Sequence, residues 1–408
     1  MSRTQKPLLW LAALLFLFIT SLILIFPERS LLAAAHAVNI WWDVLFPALF
    51  PFLVIAELML GFGVVHFLGT LLDPLMRPVF RVPGIGGFVM AMGFASGYPV
   101  GAKLTSQLWD QKLINRVQGE RLVAFTTTSD PIFLIGAVSV GFFHNPGLAL
   151  ILAASHYGAG IMVGLVMRFY GKEEPEQPKA SAQKKSLLLA AFQAMHEARL
   201  KDGRNMGELL RDAVRTALEL VFIIGGLVIF FSVILETLTA VGMLDILYFE
   251  LNALMSALHL PTQLSQAVVN GLFEVTLGVK AAGAAAVHIP LLYKVMIAAI
   301  VISWGGLSVH AQIVSILSRT PFRYTPFLLA RLIHSIFAAW LVLILWRPLQ
   351  PTAAHSDFHP VWSALHLASS IHLLTYSGAV FIASLLILPA LYLLYASVKW
   401  LMRRIHYS

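Results

Sequence analysis

Two lysines stand in apolar, glycine-rich stretches of this chain and are its clearest candidates for binding chemistry. Lys103 ends GFASGYPVGAK (93–103) and Lys280 ends GLFEVTLGVK (271–280), each two residues after a glycine. An ammonium group in such surroundings is costly unless it reaches the membrane interface, forms an ion pair or meets a ligand. The matching positions predict two cationic sites that face each other and suit a small dianion. Snorkelling to the interface is the alternative for either lysine alone.

Carboxylates and hydroxyls accompany the lysines. Asp130 lies in TTTSDPIF (126–133), where it could couple transport to a proton or cation, or cap the half-helix beyond the proline. Glu274 lies six residues before Lys280 and could couple transport or neutralise that lysine. The predicted substrate-binding residues are Lys103, Lys280, Ser96, Gly97, Gly101, Ser129, Gly278 and Ser308, and the predicted coupling residues are Asp130 and Glu274.

These residues belong to segments that occur twice. VIAELMLGFG (54–63) is echoed by VILETLTAVG (233–242), and the two lysine motifs are separated by nearly the same distance along the chain. A constant spacing between several apolar segments indicates a duplicated membrane unit, and such units commonly form a transport site where the two copies meet.

Composition places the chain in a bilayer. Hydrophobic residues make up 59%, charged residues only 12%, and the mean hydropathy is +0.81, whereas a soluble domain is about a quarter charged. The net charge of +8 fits cytoplasmic loops beside anionic headgroups better than nucleic acid, for which no basic, aromatic-interleaved surface is present. There is no cysteine.

Motifs for enzymatic chemistry are missing from the sequence. It contains no nucleophile elbow, phosphate-binding loop, dinucleotide fingerprint or HExxH pattern. HSDFHP (355–360) has the spacing of metal ligands but lacks a fourth ligand. We therefore expect no enzymatic activity, catalytic residue, cofactor or metal site.

Eight runs of about 20 apolar residues are long enough to cross the membrane as helices. They cover residues 8–26, 38–63, 122–142, 147–170, 218–238, 291–317, 326–346 and 377–400. The spans after each lysine motif are interrupted near their middle, by Pro131 in the first copy and by Gly305 and Gly306 in the second.

Two further apolar stretches, 84–108 and 262–287, are predicted to be re-entrant hairpins. If 84–108 crossed fully, the loop with Lys112, Arg116 and Arg121 would lie outside, against the positive-inside rule. With hairpins entering from opposite sides, the loops agree with that rule and the copies form an inverted repeat. The alternative is that both stretches are simple transmembrane helices with glycine packing faces. The expected fold is thus an all-α polytopic membrane protein with inverted repeats, two re-entrant hairpins and about eight transmembrane helices.

The chain divides into five parts on this reading. They are an N-terminal anchor helix (1–37), the first repeat (38–170), a cytosolic linker with an amphipathic helix (171–216), the second repeat (217–348), and an outside loop with a C-terminal transmembrane helix (349–408).

The sequence resembles the sporulation integral membrane proteins of the YlbJ type, which carry a nucleoside-recognition, or Gate, domain twice. The residues that carry the resemblance are LFPALFPFLVIAELM (45–59), GFASGYPVGAK (93–103), TTTSDPIFLIG (126–136) and the weaker GLFEVTLGVKAA (271–282). The resemblance implies a multi-pass protein of an endospore former that passes dipicolinic acid from the mother cell across the outer forespore membrane. Gate relatives similarly suggest two facing hairpins.

Three functional classes follow. The preferred one is a carrier for a small carboxylate anion, most of all dipicolinic acid; a nucleoside or other small-solute carrier is the alternative among transporters, and a non-transporting scaffold in spore maturation is the alternative class. The expected partners are the substrate anion and the lipid bilayer, without nucleic acid, and a homo-oligomer is compatible with all three classes.

Overall fold

The computed structural model describes residues 5–131, 133–171 and 187–349, and within these ranges its regular elements are all helices. The N-terminal part and first repeat comprise α1 (Gln5–Ile25), α2 (Pro27–Ile40), a π-helical turn (Trp41–Leu45), α3 (Phe46–Gly61), α4 (Val64–Phe80), α5 (Ile85–Ser96), α6 (Tyr98–Asp110), α7 (Arg116–Thr126), a π-helical segment (Phe133–Phe142), a 3-10 turn (Pro146–Leu148) and α8 (Ala149–Met167).

From its second helix onward, the second half repeats the order of helical segments that begins with α3 in the first half. It comprises α9 (Leu187–Asp202), α10 (Met206–Ala240), α11 (Asp245–Ala257), a 3-10 turn (Thr262–Leu264), α12 (Ser265–Phe273), α13 (Val275–Ala284), α14 (Leu291–Trp304), α15 (Gly306–Leu317) and α16 (Tyr324–Leu345).

Four stretches in the described ranges are long and apolar enough to cross a membrane, and there are up to seven if each bent helix pair counts as one span. The four are Pro146–Met167, Met206–Ala240, Leu291–Leu317 and Tyr324–Leu345. The expected all-α polytopic membrane fold is confirmed. The predicted span at 377–400 lies outside the described residues.

Both predicted hairpins are pairs of helices joined by a one-residue break. In the first, α5 and α6 meet at Gly97, whose φ of 89° and ψ of −178° are accessible to glycine and strained for other residues. In the second, α12 and α13 meet at Glu274, which is extended (φ −145°, ψ 125°). The limbs of the second hairpin touch at Gly271 and Gly278, where a Cβ on Gly278 would overlap the Gly271 backbone. Small residues therefore allow the limbs to lie side by side.

The two hairpins enter from opposite ends of the molecule. At the base of the first, Trp109 stacks edge-on against Phe322, with ring centroids 5.7 Å apart, five residues beyond the end of α15. At the base of the second, Gly283 lies against the Phe142 carbonyl and α13 leads directly into α14. Because α14 and α15 together form one span, Leu291–Leu317, the two bases lie at its opposite ends. This is the geometry of an inverted repeat.

The amphipathic helix predicted within the linker, from Leu187 to Arg215, is α9 and ends earlier, at Asp202. Asn205 starts a new helix there: its side chain accepts a hydrogen bond from the Glu208 amide (2.9 Å) and its own amide donates to the Glu208 carboxylate (2.9 Å). Residues from Met206 onward thus belong to the long helix α10. The corner is held by Asp202, whose carboxylate accepts from the Arg204 guanidinium at 2.7 Å. That hydrogen bond lowers the pKa of Asp202 below its usual value.

Candidate functional site

The two hairpin tips meet at a central cavity of about 50 Å³. Its wall includes Ser96 to Pro99 from the first tip and Glu274 to Thr276 from the second. The broken spans contribute Ser129, Asp130, Phe133, Ser308, Val309 and Gln312. The cavity is closed by Leu45 of the π-helical turn, by Leu49 and Leu53 of α3, and by Ile224 and Val228 of α10. The elements that the repeat predicted to converge at one site do so.

Six of the ten predicted site residues line this cavity: Ser96, Gly97, Ser129, Asp130, Glu274 and Ser308. The other four lie further along the returning limbs. Gly101 packs against the carbonyl of Thr126, and Gly278 packs against the opposite limb of its own hairpin. These two glycines therefore shape the hairpins without facing the cavity.

The lysines have partners of their own. Lys103 forms an ion pair with Glu57 of α3, and the Lys280 ammonium lies 2.8 Å from Nε2 of His36 in α2. Glu274 accepts a hydrogen bond from the Leu277 amide at 2.8 Å, on its own helix. The structure thus places each lysine beside a different helix and does not bring the two ammonium groups together at the cavity. Among the described residues that line the cavity, none is lysine or arginine.

Two helix N-termini point into the cavity, and each lies beside a carboxylate. The Glu274 side chain caps α13 through the Leu277 amide. At α6 the capping position is Gly97, which has no side chain, and the Asp130 carboxylate lies over it, so that a Cβ on Gly97 would be 3.2 Å from Asp130 Oδ2. Asp130 also accepts from the Phe133 amide at 2.8 Å. Free amide groups and the helix dipole favour carboxylates at both places.

Ser129 adds an unused polar group to the wall. It is fully buried, and its Oγ makes no hydrogen bond of ordinary geometry within the described part of the chain. The Tyr98 hydroxyl lies close enough to interact with Ser129, but its own hydrogen is donated to the Ile302 carbonyl at 2.7 Å. Buried polar groups are rarely left without a partner, so this hydroxyl indicates a place where a ligand or water binds.

A fully buried arginine holds the two broken spans together, and the sequence reasoning missed it. Arg331 of α16 donates to the carbonyls of Ala124 and Thr127, at the end of α7, and lies 3.5 Å from the carbonyl of Ser303, near the end of α14. Helix C-termini carry partial negative charge, so one guanidinium stabilises both interruptions. Ala153 occupies the matching position in the first copy, so the repeat gave no signal for Arg331.

Two histidines were also missed, although the repeat could have found them. His156 and His334 are 178 residues apart, the spacing of the other matched pairs, and their rings stack with centroids 4.7 Å apart. His156 Nε2 accepts from the Ser129 amide (2.9 Å), so Nδ1 carries the hydrogen that it donates to Ser303 Oγ (3.0 Å). The contacts of His156 with His334 and with Ser303 join the two copies. The contact of His156 with the Ser129 amide positions the cavity wall.

Comparisons with known proteins agree with this architecture. Residues 43–154 match the Gate family, described as nucleoside recognition. Over 360 residues the chain is 42% identical to the sporulation integral membrane protein YlbJ of Bacillus subtilis (strain 168), with 87% of each chain covered. The chain belongs to the YlbJ family. The resemblance noted in the sequence is confirmed, and this YlbJ-type chain is a multi-pass integral membrane protein. No solved structure matches it significantly.

The Gate match begins at the π-helical turn before α3 and ends within α8. It therefore contains the first hairpin and the first broken span of this YlbJ-type protein. Within the described ranges no group of three histidine, aspartate or glutamate side chains lies close enough to hold a metal ion. The HSDFHP motif lies outside the described residues.

Proposed function

We propose that this protein transports a small dicarboxylate, dipicolinic acid in particular, from the mother cell across the outer forespore membrane. The observation that carries the proposal is the convergence of two helix N-termini, from opposite ends of the molecule, on one cavity. Each N-terminus lies beside a carboxylate of the protein, Glu274 at α13 and Asp130 at α6. Groups that bind the protein's own carboxylates can bind those of a substrate.

The substrate would replace these internal carboxylates. Since Asp130 and Glu274 are both buried, adding a dianion beside two ionised side chains would be strongly unfavourable. Protonation of Asp130 and Glu274 removes that repulsion, and the substrate carboxylates then take their places at the helix N-termini. In this mechanism the two acidic residues couple substrate binding to protons.

The hairpin tips would separate during binding. The cavity of about 50 Å³ is smaller than the roughly 150 Å³ cavity that admits benzene in a protein core. A ring with two carboxylates therefore requires a wider site. Movement of α5 and α6 against α12 and α13 would widen it, and glycine at position 97 permits such a change at the first tip.

Uptake into vesicles that contain the purified protein tests the proposal directly. We expect labelled dipicolinate to be taken up in preference to uridine. Ser129→Ala should lower dipicolinate uptake several-fold because the substrate loses a hydrogen bond. Ser139→Ala is the matched control, since Ser139 is equally buried but its Oγ donates to the Ile135 carbonyl (2.7 Å) away from the cavity.

In sporulating cells, deletion of the gene should leave dipicolinate synthesis intact and spores poor in dipicolinate. Normal dipicolinate in such spores would refute the assignment.

A nucleoside is the second candidate substrate. The Gate family's description favours it, and the carboxylates of Asp130 and Glu274 with the Gln312 amide could bind sugar hydroxyls and base edges. Uridine uptake without dipicolinate uptake would select this function. A scaffold role predicts that variants without transport still support spore formation.

A further inference from the structure

A second, smaller cavity lies next to the central one, between α3, α6 and α10, which also line the central cavity. Its volume is about 10 Å³. Helix α3 contributes Glu57, α6 contributes Lys103, and α10 contributes Thr216 and Leu220, while Leu53 lines both cavities. The two cavities are therefore neighbours that share the Leu53 side chain as a common wall.

From the first cavity to the second, the lining residues advance by about one turn along α6 and by about two turns along α3 and α10. On α3 they pass from Leu49 to Glu57, on α6 from Pro99 to Lys103, and on α10 from Ile224 to Thr216. A helical turn is 3.6 residues, so these sets follow one another along a continuous seam between α3, α6 and α10.

The seam leads from the centre toward the base of the first hairpin. Helix α6 starts at the tip, beside the cavity, and ends at Asp110, close to the base contact of Trp109 with Phe322. This end of the molecule carries Arg116 at the start of α7 and Arg319 and Arg323 between α15 and α16. The positive-inside rule assigns these arginines to the cytoplasm. The seam therefore points to the cytoplasmic side.

Lys103 and Glu57 are the only charged side chains that line the smaller cavity in the described part of the chain, and they pair with each other. Their side chains are 22% and 21% exposed, so neither is fully enclosed by protein. An ion pair that is not fully enclosed exchanges partners at lower cost than a deeply buried one. An anion moving along the seam would contact one cation, Lys103, and could displace its counterion, Glu57.

We propose that the seam between α3, α6 and α10 is the cytoplasmic access path, and that Lys103 is a transient binding site for a carboxylate, which displaces Glu57. The identity of the ligand rests on the proposed function, whereas the path does not. A carboxylate that enters from the cytoplasm thus binds Lys103 first and the two helix N-termini at the central cavity afterwards.

Thiol labelling of the full chain tests the path, because the protein has no native cysteine. Thr216→Cys faces the seam, and Ile223→Cys is the matched control on the same helix, with a side chain 51% exposed on the outer surface of the bundle. A charged, impermeant thiol reagent applied from the cytoplasmic side should react with Thr216→Cys and not with Ile223→Cys. Labelling of Thr216→Cys only from the opposite side, or not at all, would overturn the path.

Dipicolinate protection tests the binding site. We expect dipicolinate to slow labelling of Thr216→Cys, and the concentration needed should rise about tenfold when Lys103→Gln is added, because a charge-assisted contact is lost. Glu57→Gln should not raise that concentration, since it removes the competing counterion. Equal protection with Lys103→Gln would overturn the carboxylate site.

Cytoplasmic labelling protected by uridine alone would refute the proposed substrate and the Lys103 site but keep the path. Dipicolinate uptake without labelling at Thr216→Cys would refute the path and keep the proposed function.

Discussion

Replacement of Arg331 by methionine is the most direct test of how the two broken spans are held. The guanidinium donates to carbonyls at the end of α7 and lies within 3.5 Å of one near the end of α14, and it is fully buried. Methionine has a similar length, so the main loss is that of the donors. The carbonyls of Ala124 and Thr127 would be left without their partner.

The expected cost follows from these contacts. A hydrogen bond that involves a charged group contributes about 1.5–3 kcal/mol, and Arg331 donates two of them to carbonyls at the end of α7. Removing the arginine also removes the cost of burying its charge, which offsets part of the loss. We therefore expect Arg331→Met to lower the free energy of unfolding by about 3–5 kcal/mol. Arg331→Lys keeps the charge but not the planar fork, and should lose about half as much.

Unfolding of the detergent-purified protein, followed by circular dichroism, measures this difference. Arg215→Met is the control, since Arg215 is 80% exposed and pairs with an exposed glutamate one turn away, and its loss should be below about 1 kcal/mol. If Arg331→Met unfolds at the same denaturant concentration as the unaltered protein, the guanidinium does not hold the breaks. If Arg215→Met costs as much as Arg331→Met, the effect reflects general loss of charge.

Three further predictions concern topology, packing and pH. Single cysteines at Gln111 and Ser256, both exposed, should be labelled by an impermeant maleimide from opposite sides; labelling from one side would contradict the inverted repeat. Gly278→Ala should lower stability and transport because its Cβ would overlap the facing limb, whereas Gly226→Ala meets nothing within 4 Å and should be tolerated; equal effects would contradict the packing at the hairpin. The pKa of Asp202 is lowered by its arginine partner, so its stabilisation is present above the unfolded-state pKa of about 3.9 and is lost as pH falls through the lower folded value. The difference in unfolding free energy between the wild type and Asp202→Asn should thus be constant near neutral pH and vanish in acid, and a difference that persists in acid would refute this.

Much of the architecture could be predicted from local features of the sequence. The glycine at the first tip, Gly97, and the glycines that interrupt the span after the second hairpin act within a few residues of where they stand. The duplication also predicted that the two copies meet at one site, and Ser129 and Glu274 both line the central cavity. By contrast, the expectation that Lys103 and Lys280 face each other came from their matching positions alone. The repeat gives the two lysines equivalent backbone positions but different surrounding side chains. Lys103 therefore pairs with Glu57, whereas Lys280 lies beside His36.

The sequence by itself determined the solvent, the duplication and the hairpin breaks, because composition, spacing and backbone preference are properties of single segments. Only the tertiary structure decided the partners of the charged groups. Arg331 reaches carbonyls more than 200 residues away, and His156 contacts Ser303 across 147 residues. A buried charge takes whichever carbonyl or carboxylate the packing places within reach, because leaving it without a partner costs several kcal/mol. That choice depends on how the helices of the two copies cross, which no single segment encodes.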